Sequence, residues 1–301
     1  MARMPVGHRF VHSSLISIIL LGSCAIPIAA QQPPKTRPAP IPRQIILPPS
    51  VVAGAQATLA VLDSLGRLTP NIAVDISGTL KVKTDETGRV LFTVPEKPGA
   101  LVAKIVGQKI SAWAVVKPPI DPAGQTDGVA VPGEIKITSY PHVLAIHDRF
   151  TLEGSGLRGS ADSNRISLNG DPCLIVAASP ISLVVLPGPR VPVGDASLKV
   201  SVAGNDAGTF PVSAVLLEFT GPTGTPDAGS TGSLILHARG STEPLGVEIR
   251  NGSPGVIQLS KGNVQRLKTS GGEENMALVE VKFVTGGNYY VSARLIPSDT
   301  R

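Results

Sequence analysis

The sequence predicts an all-β protein built as tandem β-sandwiches behind an N-terminal signal segment, and three observations carry that prediction. Glycine (32) and proline (28) together supply about a fifth of the 301 residues, above a typical ~12% but below the ~25–30% of low-complexity chains. Past the leader, the longest stretch free of both residue types spans positions 273–285, and its apolar residues alternate as in a strand rather than recurring with a helical period. Hydrophobic content of 42% against 16% charged residues supplies enough apolar side chains for buried cores and argues against a solvated, unfolded chain.

The first thirty residues carry Arg3 and Arg9, no acidic residue, and an apolar stretch over 15–21 continued by small residues up to Ala30. This is the layout of a secretory signal peptide over 1–30, short for a membrane span of ~20 residues. Cleavage after Ala30 releases a soluble chain beginning Gln31-Gln32. Alternatively, Leu21-Gly22-Ser23-Cys24 resembles a bacterial lipobox, whose cysteine is acylated, making Cys24 a candidate lipidation residue; an uncleaved N-terminal anchor is the third route. Loss of residues 1–30 removes two arginines and lowers the formal charge from +5 to +3, so the basic balance says little about nucleic acid.

Between Gln31 and Pro49 lie seven prolines, which favour an extended polyproline-like spacer; residues 31–44 are expected to form a tether. A first sandwich is expected over 45–117. Leu59 and Val61 alternate with Thr58 and Ala60, and Val90, Phe92 and Val94 with Leu91 and Thr93, the period-two pattern of strands. Turn signals at 63–66, 84–88 and 96–99 separate them. Trp113, near the end of the last strand, is expected in the core. Prolines 118, 119, 122 and 132 then mark an interdomain linker over 118–133.

A second sandwich is expected over 134–211, where Ile135/Ile137, Phe150/Leu152, Ile166/Leu168, Leu183/Val185 and Leu198/Val200/Val202 alternate between turn residues. The segments ITSYP (137–141), FTLEGSGL (150–157), ISLNGDPCLIV (166–176), AASPISLVVLPGP (177–189) and VGDASLKVSVAG (193–204) make this block similar to the IPT/TIG domains of the immunoglobulin-like superfamily. An opening strand with proline, a Gly-x-Gly corner, a strand reaching Asn-Gly, a strand ending in proline and a glycine-led closing strand follow in the family's order. The resemblance implies an extracellular or interaction role and carries no catalytic residues. A third sandwich is expected over 212–301, with strands at 214–219, 233–239, 245–250, 256–259, 265–269, 277–284 and 289–296. Val279, Val281 and Phe283, with Tyr289, Val291, Ala293 and Leu295, should face inward, and Glu280, Lys282 and Arg294 outward. The segments 240–262 and 269–272 resemble bacterial Ig-like repeats of surface proteins, and 61–77 with 84–92 resemble the same broad class.

Little in the chain advertises catalysis. No serine sits in a Gly-x-Ser-x-Gly elbow, and Gly154-Ser155-Gly156 reads as a tight corner. His142, His147, Asp148 and His237 lack zinc-ligand spacing; no phosphate-cradling loop or EF-hand spacing occurs, and no cofactor is expected. Asp85/Glu86 and Glu273/Glu274 read as solvated turn charges rather than glycosidase carboxylates. Asn251-Gly252-Ser253 fits a glycosylation sequon but reads first as a turn. Cys173, left alone if Cys24 departs with the leader, reads as a small hydrophobe on an inner strand face. With ten aromatic residues and no basic run, stacking platforms for nucleic acid are missing. The composition therefore points to an exported, non-catalytic protein of the cell envelope or extracellular space, serving binding, adhesion or spacing. The alternative is an accessory carbohydrate-binding protein of an envelope enzyme system. Its partner is expected to be a protein or a cell-surface polysaccharide, with membrane contact only through a lipid anchor or an uncleaved leader. Trp113, Tyr140, Tyr289 and Tyr290 are the candidate sugar platforms, and Tyr289 and Tyr290 should face opposite ways.

Overall fold

The computed structural model describes residues 42–119, 134–222 and 226–296. The leader with Cys24, the tether up to residue 41 and the linker from residue 120 lie outside the described residues. What is described is all β: among these residues the one helical element is a 3-10 turn at Ala161–Ser163, and no helix is long and apolar enough to cross a membrane.

The first block holds β1 (Pro42–Ile46), β2 (Ser50–Val52), β3 (Gln56–Asp63), β4 (Ala73–Ile76), β5 (Leu80–Lys83), β6 (Arg89–Thr93), β7 (Gly99–Ile105) and β8 (Ser111–Lys117). Residues 42–44, expected in the tether, thus belong to β1. A five-stranded sheet ordered β2-β8-β7-β4-β5 packs against β1, β3 and β6, closing a core of Leu59, Val61, Val74, Ile76, Phe92, Leu101 and Ala114. The turns form as their residues dictate. Asp63 Oδ1 accepts from the backbone N–H of Leu65 (2.8 Å) and of Arg67 (2.9 Å), and Gly66 takes φ +76°, a conformation open to glycine at no steric cost.

The second block comprises β9 (Lys136–Ser139), β10 (Val143–Ala145), β11 (Phe150–Ser155), β12 (Asn164–Leu168), β13 (Asp171–Pro172), β14 (Leu174–Ser179), β15 (Ser182–Leu186), β16 (Gly194–Val202) and the sixteen-residue β17 (Asn205–Thr220). Its core gathers Leu152, Leu168, Leu183, Leu198 and Val200, residues whose alternation marked the strands, together with Ala214. Gly154 is needed at the β9–β11 approach, where a Cβ would stand 2.3 Å from the Lys136 carbonyl oxygen.

The third block adds β18 (Thr231–Arg239), β19 (Gly246–Asn251), β20 (Ile257–Leu259), β21 (Val264–Lys268), β22 (Met276–Phe283) and β23 (Val291–Leu295). A three-stranded sheet, β21-β19-β23, faces β18-β22-β20 across Leu234, Leu236, Ile249, Ile257, Val279, Val281 and Phe283. Tyr289, Val291, Ala293 and Leu295 pack against this core, while Glu280, Lys282 and Arg294 are exposed.

The blocks are joined through shared β structure. β14 pairs with β3 at Ala178–Thr58, which merges strands of the first two blocks into one seven-stranded sheet. β3 is consequently buried on both faces. Leu59 and Val61 enter the first core, while Ala60 and Leu62 meet Val176, Ala177 and Val184 of the second block. Side-chain hydroxyls bridge this seam: Thr58 Oγ1 donates to the Gly159 carbonyl (2.6 Å) and accepts from Ala161 N–H (3.2 Å), and Ser179 Oγ donates to the Ser50 carbonyl (2.7 Å). Further along the chain, β17 pairs with β16 over its first part and with β18 from Leu216 to Thr220. The boundary expected between residues 211 and 212 therefore falls inside a continuous strand of roughly 50 Å. The described residues of all three blocks fall within one compact unit.

Candidate functional site

Trp113 corrects one expectation. It was placed in the core, yet it is 70% exposed, because β8 turns Ala114 and Val116 into the core and Trp113 and Val115 outward. Trp113 and Val115 share the outward face with Ser111 and Lys117, and the packing admits the smaller Ala114 and Val116. The strand pairing sets the surroundings of the indole. Val102 of β7 stands directly opposite Trp113, and Ala100 opposite Val115. The next row along the sheet runs Ser111, Lys104, Asp75 and Lys81 across β8, β7, β4 and β5, about 7 Å from the indole row. An apolar platform with hydroxyl, carboxylate and ammonium groups one row away can stack a ring face and hydrogen-bond its hydroxyls.

Two rows further along β8, Lys117 opens onto a cleft of about 380 Å³ between the first and second blocks. Thr138 and Glu153 of the second block line it, with Val52 and Ile181 at its apolar wall. The outward side of β8 therefore leads from an aromatic platform into a mainly apolar groove edged by Lys117, Thr138 and Glu153.

The other expected platforms divide. Tyr140 packs on Phe210 (ring centroids 4.9 Å apart) and on His142 (5.0 Å), and Tyr289 packs on Phe283 (5.9 Å); both are committed to structure. Tyr290 is 65% exposed, so the two adjacent tyrosines do face opposite ways. It was legible from the alternation of the last strand, whereas the exposure of Trp113 was not.

The candidate chemical residues are not brought together. His142 and His147 flank β10 and are exposed, and His237 sits in β18 opposite Met276 and Glu218. Among the described residues no three His, Cys, Asp or Glu side chains converge as metal ligands. Asp85 closes its own turn, with Oδ1 accepting from Thr87 N–H (2.8 Å) and Thr87 Oγ1–H (2.7 Å). Partial burial raises its pKa, but these bonds, the Arg89 N–H hydrogen bond and the Arg89 charge outweigh it and hold the carboxyl below its ordinary value. Glu273 and Glu274 are exposed in a turn. Asn251 Nδ2 donates to the Ile257 carbonyl and its Oδ1 accepts from Ser253 N–H (2.8 Å), so the sequon residue is engaged in its turn. Cys173 packs at the edge of the second core, and burial pushes its thiol up to about 11; at neutral pH it is a protonated, unreactive hydrophobe.

No protein-family model and no curated protein sequence matches the chain. Among solved structures it is similar to a Bacteroides ovatus protein, SGBP-B of a mixed-linkage glucan utilization locus, solved with a mixed-linkage heptasaccharide. The two share 12% identity over 88% of this chain and 76% of that one, at a TM-score of 0.28. A Bacteroides uniformis SGBP-B from a xyloglucan utilization locus matches 87% of this chain and 100% of its own at 10% identity and a TM-score of 0.27. The surface layer protein SbsC, domains 1–6, matches 86% of this chain and 39% of its own at 12% identity and 0.19. At such identities and scores, what this chain binds has to come from its own residues.

Proposed function

We propose that this chain is an exported, non-catalytic accessory protein that docks a polysaccharide on the outer face of its first sandwich, with Trp113 as the platform. The observation that carries this reading is the exposure of the chain's sole tryptophan on an open sheet face. Tryptophan is highly buried on average, and here it forms with Val102 and Val115 a contiguous apolar patch rimmed by polar residues, the kind of surface that marks a binding site. Saccharide rings offer an apolar C–H face and a hydroxyl rim, which suits Val102, Trp113 and Val115 beside Ser111, Lys104 and Asp75. Sheet strands hold these groups rigidly, so a ligand meets a preorganised surface. The leader over 1–30 delivers the chain to the envelope, and the central block, read as an IPT/TIG-like sandwich over 134–211, serves as scaffold between its neighbours.

The test is affinity electrophoresis and calorimetry of the purified protein against soluble neutral polysaccharides, including a β-glucan, a xyloglucan and a xylan. Retardation by at least one of them that Trp113→Ala abolishes or strongly weakens supports the reading. Equal retardation of the parent and Trp113→Ala proteins by every ligand that binds, or no binding at all, removes it.

A further inference from the structure

The outer face of the three-stranded sheet in the third block carries a second built surface. In register across β21, β19 and β23, Arg266, Glu248 and Arg294 form one row, and Val264, Arg250 and Ser292 the next. The Glu248 side chain is only 3% exposed, roofed by three guanidiniums. Arg250 Nε donates to Oε1 at 2.8 Å, Arg266 Nε to Oε2 at 3.1 Å, and Arg294 Nη2 lies 2.7 Å from Oε1. Hydrogen bonding from Arg250 outweighs burial and, with Arg266 and the charge of Arg294, holds the carboxyl down to about 2.

One carboxylate needs one arginine. Three converge here, so two positive charges are left uncompensated, and Arg266 is 72% exposed. Each guanidinium has five N–H donors in a planar fork, and Glu248 has only two oxygens to receive the three of them. Lys268 is exposed on the same side of β21, opposite Gly246. Arg149 of the second block lies close enough for burial and then the Arg294 charge to lower its affinity for its proton, against Asp148 beside it as its own counter-charge. In the ladder continued beyond β23, Gly252 N–H donates to the Tyr290 carbonyl (2.9 Å), which places Tyr290 one row, about 7 Å, past Arg250. The Tyr290 ring lies against Gly252, where a Cβ would come within 2.7 Å of a ring carbon. The glycine thus seats the ring over the strand and leaves the ring exposed.

We infer that this face is a binding site for an acidic, carboxylate-bearing polysaccharide, with Tyr290 stacking a sugar ring and Arg250, Arg266 and Arg294 receiving its carboxylates. Glu248 is the positioning residue: it clamps three flexible side chains into one array before the ligand arrives. Guanidinium forks match carboxylates in a bidentate manner, and an array along strands suits an extended chain rather than a single small anion. The apolar content of the face, one ring over Gly252 and, on the far side of β19, Val264, is too small to enter a bilayer, and a single aromatic offers no run of platforms for unpaired bases. This surface is separate from the Trp113 face and stands without it.

The purified protein is titrated with polygalacturonate and with the same polymer fully methyl-esterified, which keeps the sugar backbone and removes the charge. The expected result is binding to polygalacturonate that weakens with salt and is at least about tenfold tighter than to the ester. Arg266→Ala leaves Glu248 two partners and should weaken that binding by about tenfold, with Arg266→Lys falling between because it keeps charge but loses the fork. Tyr290→Ala should weaken it further, while thermal melts report that each variant is folded. Equal affinity for polymer and ester, unchanged affinity in folded Arg266→Ala, or tighter binding to duplex DNA or phosphatidylglycerol vesicles than to polygalacturonate overturns the assignment.

Discussion

Replacing Trp113 by alanine separates a binding platform from a core residue, and the structure sets the size of both effects. A tryptophan side chain carries roughly 150–250 Å² of surface. At 70% exposure roughly 100–170 Å² remains open, and a flat sugar ring covers about half of that on the ring's free face. Removing roughly 50–85 Å² from water at ~25 cal/mol per Å² contributes about 1.3–2.1 kcal/mol, which corresponds to a loss of about 10- to 35-fold in affinity. The same substitution should cost stability only about 0.5 kcal/mol, as for a surface change, where a core tryptophan would cost ~3–5 kcal/mol. Isothermal titration with the best neutral ligand gives the first quantity and urea unfolding the second. A variant that keeps full affinity, or that unfolds as though a core residue had been deleted, refutes the reasoning.

Three further outcomes are expected. Gly159→Ala places a Cβ 1.9 Å from the Gln56 carbonyl oxygen across the seam of the first two blocks; backbone must move, at a cost of about 1–3 kcal/mol. Unfolding at the parent's urea midpoint would show the seam to be loose. The folded protein holds Glu248 at about 2, below the 4.5 of an unperturbed glutamate. Its stabilising contribution is therefore complete above pH 4.5 and disappears as pH falls toward 2. Denaturant midpoints measured from pH 6 to pH 2 should decline less in that window for Glu248→Gln, and parallel declines would count against the cluster. Cys173, with its thiol at about 11, should react with a thiol reagent at pH 8 far more slowly in the native protein than in urea; a fast native reaction would show the thiol to be accessible as thiolate.

Much of the strand layout could be read without coordinates, and particular elements show why. In the third block the expected strands 277–284 and 233–239 correspond to Met276–Phe283 and Thr231–Arg239. Val279, Val281 and Phe283 alternate there with exposed charged or polar positions, so period two is written in polarity. On β8 the signal is weak: Trp113 and Val115 share a face with Ser111 and Lys117 at the strand's ends, but in its centre they alternate with Ala112, Ala114 and Val116, apolar against apolar. On β3 alternation was visible but its meaning was not, because the face opposite the first core is covered by the second block. Glu248 and Arg250 share a face by their spacing of two, but Arg266 and Arg294 join them only through cross-strand register, which local pattern does not encode.

By itself the sequence determined the all-β class and the position of strands such as Thr231–Arg239 and Met276–Phe283, because glycine and proline punctuation and two-residue alternation act locally on the backbone. Only the tertiary structure decided which face of each strand meets solvent, that β14 docks on β3 and β17 continues from the second core into the third, and that three arginines meet over one buried carboxylate. Those outcomes depend on which surfaces exclude water from one another across long separations in the chain, and no single segment carries that information.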